Sequence, residues 1–474
     1  MCPPSSLSSF ISFIALEEEE LMALLAAQDA HKTALLATLH LKQGKRFTRR
    51  SPEVTPDPRE SVWGRLLDHA DVGDATTPKG VQFLRRFRMP HTAWLELVNE
   101  WKAHPDWYNE NRVGRNGVKC IPVDILLACC IRYCAYGVSF DICSECSNVA
   151  ESTLQSFFLK TFIPIMSGKF MSDKYIYLPR TEAELEHVLG QYKRAGLPGC
   201  FGSIDGVHVR LYCCPAGLYI VHKNGAKQHP TRSYQVIASH TCRIQYVSKG
   251  VPGSVNDMGA VRSDATIMGF NRSLPTFHGA TAKLVRDVTF NLRRPAEKGG
   301  GEEEHKGGYL ITDGGYIAWE CMISPEEVAT DALSFAFRTL VESTRKDVER
   351  VFGMLKKKYQ ILNNGIRQHS VGDADGIMTA CSVLYNIAHL HNGWDHPATM
   401  CDEDGVDFVA APKTVRRGCN AVTVGIPAVT ENVPDAQVAL HRKRKVALMD
   451  DYGTRRNIKA FVARNPQLDG VNHF

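Results

Sequence analysis

Tyr309-Leu-Ile-Thr-Asp313-Gly-Gly315 and Thr344-Arg-Lys-Asp-Val-Glu349-Arg350 are the stretches that decide how this chain folds. In the first, an apolar run of strand character ends in an aspartate at a Gly-Gly break. In the second, a glutamate sits in a helical pattern, with thirty-five residues between it and Asp313. Upstream, Cys200-Phe-Gly-Ser-Ile-Asp205-Gly-Val-His208 places a further aspartate inside another strand-like run. On the helix, Val348, Val351, Phe352, Leu355 and Tyr359 form the apolar stripe, and Glu349 lies at its edge. Three acids carried by two strands and one helix can converge on two divalent cations, the arrangement that supports in-line attack on a phosphodiester. Three carboxylates suffice for two such ions, because each needs only one or two, with water and substrate oxygens completing the shell.

Singly, each acid has an ordinary explanation. Asp205 could be a buried acid satisfied by backbone donors. Asp313 could serve the turn at Gly314-Gly315. Glu349 could pair with Arg345 one helical turn earlier. It is their joint placement that points to chemistry. Asp257, in Pro252-Gly-Ser-Val-Asn-Asp257, follows the third strand and reads as a helix cap or as support for the other acids. Arg345, Arg350 and Lys356 are candidates for holding phosphates, against the plainer reading of a solvated helix face.

The 474 residues carry a net charge of only +5, unevenly spread. Basic runs stand at Lys45-Arg46, Arg49-Arg50, Arg85-Arg86, Lys356-Lys357-Lys358 and Arg442-Lys-Arg-Lys445; those at 45–50 and 442–445 are candidate nuclear localisation signals. The 15 cysteines are odd in number and irregular in spacing. The apolar run Ser9–Leu16 lacks a basic flank and leads into four glutamates, so reduced thiols in cytosol or nucleus are expected. Cys143-Ser-Glu-Cys146 lacks the second ligand pair that a zinc site requires and reads as packing. No membrane span is expected, since no apolar stretch approaches the required ~20 residues.

Changes of period divide the chain. Residues 1–60 read as a helix and linker, 61–118 as a small helical unit, and 119–190 as a helix-turn-helix-like region with a capping box at Ser152-Thr-Leu-Gln155. Strands are expected at Phe201–Tyr212, Tyr234–Thr241, Ile244–Gly250, Thr289–Leu292 and Tyr309–Thr312, with a loop over Pro295–Gly308. Helices are expected at Asp257–Ser263, Pro325–Val341, Thr344–Leu362 and Asp375–His391. The order βββ-α-β-α over 195–395 is that of a ribonuclease-H-like α/β core with a mixed sheet. Residues 396–474 read as a partly ordered tail.

Leu197–His208, Gly253-Ser-Val-Asn-Asp257, Leu310-Ile-Thr-Asp313-Gly-Gly-Tyr316 with Trp319, Arg345-Lys-Asp-Val-Glu349-Arg-Val-Phe-Gly353 and Cys381–Asn386 occur in one order. Together they resemble the DDE endonuclease domain of PIF/Harbinger transposases, in the plant and protist branch, over roughly residues 80–395. The chain departs from that family at Tyr385, where histidine is common, and in a longer loop before Tyr309. The resemblance implies a ribonuclease-H-like fold, a metal-binding catalytic triad at Asp205, Asp313 and Glu349, and two Mg²⁺ or Mn²⁺ ions. It further implies cutting and joining of double-stranded DNA in the nucleus, and a Myb-like DNA-binding partner protein. Three readings stay open: an active transposase, a domesticated DNA-binding or scaffold protein that kept the fold, and a ribonuclease-H-like enzyme acting on another nucleic acid. Whether the protein is a homo-oligomer stays open too.

Overall fold

The computed structural model describes residues 56–113, 119–274, 279–325, 331–392 and 435–456. The helix expected within residues 1–60 and the basic run at 45–50 fall in residues 1–55, outside them.

Among the described residues, nine α-helices lead into the sheet: α1 (Val62–Leu67), α2 (Pro78–Phe87), α3 (His91–Ala103), α4 (Val123–Tyr136), α5 (Phe140–Ser147), α6 (Glu151–Phe157), α7 (Ile163–Ser167), α8 (Lys169–Tyr175) and α9 (Glu182–Arg194). Their caps follow local chemistry. Ser61 and Thr77 side chains accept from the third backbone N–H of α1 and α2, respectively. Gly137 ends α4 in the left-handed conformation, φ 62°. The expected capping box at Ser152 is absent. The helix begins one residue earlier, after Ala150, and Gln155 donates instead to the Glu151 carboxylate at 2.9 Å. Between α6 and α7 the chain widens into a π turn over Phe158–Phe162. Pro164, having no N–H, cannot complete the regular ladder there.

The sheet follows: β1 (Cys200–Arg210), the short helix α10 (Tyr219–His222), β2 (Thr231–Ala238), β3 (Ile244–Val247) and β4 (Val251–Pro252). Next come α11 (Asp257–Arg262), α12 (Ala265–Gly269), α13 (Ala280–Asp287), β5 (Thr289–Arg293), β6 (Glu302–Lys306), β7 (Tyr309–Ile311) and β8 (Met322–Ile323). The central order is β3-β2-β1-β7-β8, with β4 also pairing β2. β1–β2 and β2–β3 are antiparallel, whereas β1–β7 and β7–β8 are parallel. Three antiparallel strands followed by helices and then parallel strands on the other side of β1 make a ribonuclease-H-like sheet.

Two strand expectations are corrected. Thr289–Leu292 belongs to a separate hairpin, where β5 pairs with β6 across a Gly299-Gly300-Gly301 turn of positive φ. The segment read as a loop, Pro295–Gly308, therefore contains a strand. Its glutamates look loop-like in composition, but they face arginines across the hairpin, Arg293–Glu302 at 3.8 Å and Arg294–Glu303 at 3.5 Å.

The two helices expected after β8 are one: α14 (Ala332–Lys358), 27 residues long, started by a reciprocal Asp331/Ser334 capping box. Nothing between Val341 and Thr344 breaks a helix. α15 (Ile361–Asn364), α16 (Val371–His391) and, in the tail, α17 (Asp435–Arg456) complete the described chain. α17 docks on the β5–β6 side: Arg444 is buried and donates to Glu320 Oε1 at 2.7 Å, and Lys445 donates to the Pro325 carbonyl at 3.1 Å. The basic run 442–445 is thus half built into the fold.

One apolar core joins the helical region (Trp63, Trp101, Ile131, Phe158) to Val207, Val209 and Val236 of the sheet and to Val348, Leu355, Ile377 and Leu384 of α14 and α16. A second lies on the other side, around Phe201, Ile204, Leu310, Trp319 and Phe337. All twelve cysteines of the described residues are unpaired, and Cys143 Sγ points to the Cys129 carbonyl at 3.7 Å. Among the described residues, no helix is long and apolar enough to cross a membrane.

Candidate active site

Strand register brings the first two acids together. Ser203 of β1 pairs with Ile311 of β7 in parallel. Two residues further on stand Asp205, still within β1, and Asp313, just past the end of β7. Each carboxylate takes a backbone N–H close by in sequence, Gly206 N at 2.7 Å for Asp205 and Gly315 N at 2.9 Å for Asp313.

Glu349 arrives from α14, whose buried stripe of Val341, Val348, Val351 and Leu355 presses on the sheet. Arg345, one turn earlier, joins helix to strand. Its guanidinium lies 3.3 Å from Asp205 Oδ2 and 2.7 Å from Glu349 Oε1. The ordinary pairing of Glu349 with Arg345 is therefore real, and it places Glu349 on the face turned towards Asp205.

Asp257 is not the helix cap. Asn256 caps α11 by accepting from Gly259 N at 2.8 Å, which leaves the Asp257 carboxylate free to turn to the sheet. It packs against Gly206 so closely that a Cβ on that glycine would stand 2.5 Å from Asp257 Oδ1. Gln235, paired with Gly206 across the sheet, donates to Asp257 at 3.1 Å and accepts from the buried Tyr316 hydroxyl at 2.5 Å. This Tyr316–Gln235–Asp257 chain braces the acids from below. Gln235 escaped the sequence reading; its one signal is the run Thr231-Arg-Ser-Tyr-Gln235, polar residues in a strand buried throughout.

The electrostatics are those of crowded carboxylates. Burial first, then Asp313 and Asp257, push the Asp205 carboxyl up to about 6, against the pull of the Gly206 N–H and Arg345. Asp313 is raised as well, by burial and then by Asp257 and Glu349. Arg345 supplies positive charge to this cluster. As they stand, no three acidic, histidine or cysteine groups among the described residues are gathered tightly enough to hold an ion. The donors are nonetheless all hard carboxylate oxygens, which suits Mg²⁺ or Mn²⁺ rather than a thiolate-seeking metal.

The other phosphate candidates point elsewhere. Arg350 reaches Asp347 at 2.7 Å, a buried carboxylate that also holds His240 at 2.5 Å. Lys356 donates to the His208 carbonyl at 2.9 Å, and burial lowers its pKa to about 8.

A raised carboxyl binds its proton more tightly folded than unfolded. The stability it contributes is therefore present below its unfolded value near 4 and lost as pH rises through about 6. Asp205→Asn in EDTA is expected to melt above wild type at pH 7, by on the order of 1–3 kcal/mol of stability. That advantage should shrink as pH falls towards 4. Melting curves across this range check it; a variant less stable than wild type at pH 7 would contradict the crowding of these acids.

A family model described as plant transposon protein matches residues 173–393. Among curated proteins, "Putative nuclease HARBI1" of Rattus norvegicus and of Homo sapiens are each 20% identical over 272 residues, 56% of this chain and 64% of theirs. That of Mus musculus is 21% identical over 270 residues, with the same coverage. The chain thus spans a little under two thirds of the length of these relatives. No solved structure matches the chain. The ordered motifs, the sheet that carries them and these matches agree: over residues 173–393 the chain is similar to plant transposon proteins, and more distantly to these putative nucleases.

Proposed function

We propose that this protein is a divalent-metal-dependent DNA endonuclease of the transposase type, acting on phosphodiester bonds of double-stranded DNA. The observation that carries this reading is the convergence of Asp205, Asp313 and the Arg345-bound Glu349 from β1, the end of β7 and α14. Asp205, Asp313 and Glu349 would hold two Mg²⁺ or Mn²⁺ ions. When bound, such ions make a water or a DNA 3′-hydroxyl nucleophilic at neutral pH and neutralise the leaving oxygen. The chain's own part is orientation. The Gly206 and Gly315 N–H groups fix one oxygen each of Asp205 and Asp313, and the Tyr316–Gln235 pair fixes Asp257 beside them. Arg345 holds Asp205 and Glu349 together while the carboxylates carry charge. DNA is the substrate, the nucleus the site of action, and a Myb-like protein a partner in this reading.

A second reading, a domesticated binding or scaffold protein, draws on the same arginine. Arg345 partly neutralises the acids by itself, so the fold does not depend on an ion for charge balance.

Mn²⁺ separates the two. Under the nuclease reading, millimolar Mn²⁺ or Mg²⁺ raises the melting temperature of wild type by ligand linkage, and Asp205→Asn and Asp313→Asn abolish the rise while staying folded. Equal stabilisation of all three proteins would place the ions elsewhere and remove the nuclease reading.

A further inference from the structure

Between Asp205 and Asp257 the sequence contains no aspartate or glutamate, while Arg210, Lys223, Lys227, Arg232, Arg243 and Lys249 all fall inside that interval. Much of it is an arm, residues 211–230, inserted between β1 and β2 where a two-residue turn would suffice. The arm is a built element. Tyr212 N donates to the Ile366 carbonyl at 2.8 Å, Asn224 Nδ2 to the Gly253 carbonyl at 2.9 Å, and Ser254 Oγ to the Val221 carbonyl at 2.7 Å. At its tip α10 leaves Tyr219, Ile220 and Val221 open to solvent, Ile220 at 84% exposure.

Positive charge gathers along this arm, which itself holds no carboxylate, while Asp375, the acid that acts on His222 of α10, is taken up by Arg232 at 2.5 Å. Among the described residues, Arg210, Lys223, Lys227 and Arg367 make no ion pair. Arg210 and Arg367 lie over the ring of exposed Tyr212, at 5.3 and 5.6 Å. Burial, Lys227 and Lys356 lower His208 to about 4, and His229 is lowered by burial and by Arg210 and Lys227. Such crowding costs folding free energy and is relieved by a polyanion. A second copy of the chain would bring the same positive face against this one.

We infer that the arm grips duplex DNA beside the cutting site, with Lys223, Lys227, Arg210 and Arg367 on phosphates and the Tyr219-Ile220-Val221 tip wedged against a base step in the minor groove. This rests on the nuclease reading for its substrate. Apolar wedges flanked by basic side chains are how proteins enter and kink that groove. Arg210 follows Asp205 by five residues of one strand, about 16 Å at ~3.3 Å per residue. Arg210 would then meet the duplex about five base pairs from the bond cut, at roughly 3.4 Å per pair.

The test uses the full chain in EDTA, so that binding is read without cutting. Lys223→Gln/Lys227→Gln alters two exposed side chains. It is expected to weaken binding of a duplex at 0.1 M salt by roughly tenfold or more, and to reduce the slope of log affinity on log salt by about 2. A photo-crosslinking benzoylphenylalanine placed at Ile220 should label the DNA. A double variant that binds with wild-type affinity and slope, or wild type that shows no salt-sensitive duplex binding, overturns the inference. So does a crosslink made only to another protein chain. Nicking that disappears in Asp205→Asn would keep the nuclease reading standing through any of these outcomes, whereas nicking that survives would remove that reading and leave the grip to be judged on binding alone.

Discussion

Glu349→Gln is expected to lower nicking of a terminal-repeat duplex in Mn²⁺ by at least about two to three orders of magnitude, the usual cost of removing one preorganised charge-stabilising group. DNA affinity should stay level or rise slightly, because one negative charge that repels phosphate is gone. Glu349 is exposed on α14 and pairs with Arg345 at 2.7 Å, so the fold has little to lose. The same loss is expected for Asp205→Asn, which is more buried but gains stability at neutral pH. Nicking and filter-binding measured on the same preparations separate catalysis from binding. If wild type cuts and Glu349→Gln cuts equally well, the carboxylate mechanism is refuted.

The largest stability effect is expected away from the site. Arg232 of β2 is buried and forks onto Asp375 of α16 through Nε at 2.5 Å and a terminal nitrogen at 2.7 Å, while the Tyr234 hydroxyl donates to the same carboxylate at 2.9 Å. Arg232→Met keeps the volume but leaves that carboxylate without its cation. The expected loss is about 3–5 kcal/mol, a fall in melting temperature on the order of 10 °C for a domain of this size. Arg232→Met/Asp375→Leu should recover much of it, since an apolar pair of similar volume often replaces a buried ion pair at little cost. Melting curves of both variants decide the matter; a single variant that melts with wild type would show the pair to be solvated.

The parts of the fold legible in the sequence were those with strong local signals. Strand-like apolar runs, one containing Asp205 and one ending in Asp313, showed two sheet strands, and the stripe from Val348 to Tyr359 showed the helix that carries Glu349. Where composition and pairing disagree, the sequence misleads. Glu302–Lys306 looks like loop until Arg293 and Arg294 stand opposite it. Asn256 rather than Asp257 caps α11, and neighbours of such similar capping strength are told apart only by which side chain the sheet needs. Gln235 was invisible because its value lies in the strand opposite: only the register of β1 on β2 brings it under Asp257. The helix at Asp435–Arg456 was hidden by a charge-rich composition, since the partners of Arg444 and Lys445, Glu320 and Pro325, lie more than a hundred residues away.

The core shared by the helical region and the sheet bears on how this protein can be inherited or engineered. Trp63, Trp101 and Phe158 pack into the same apolar mass as Val207, Val348 and Leu384. A segment excised at residue 173, where the family match begins, would lay bare one whole side of α16 and the sheet beneath it. The half that carries the acids is therefore no cassette. It cannot be traded between genes, or expressed alone, without the helices before it, and shuffling at that seam would yield aggregates rather than new specificities.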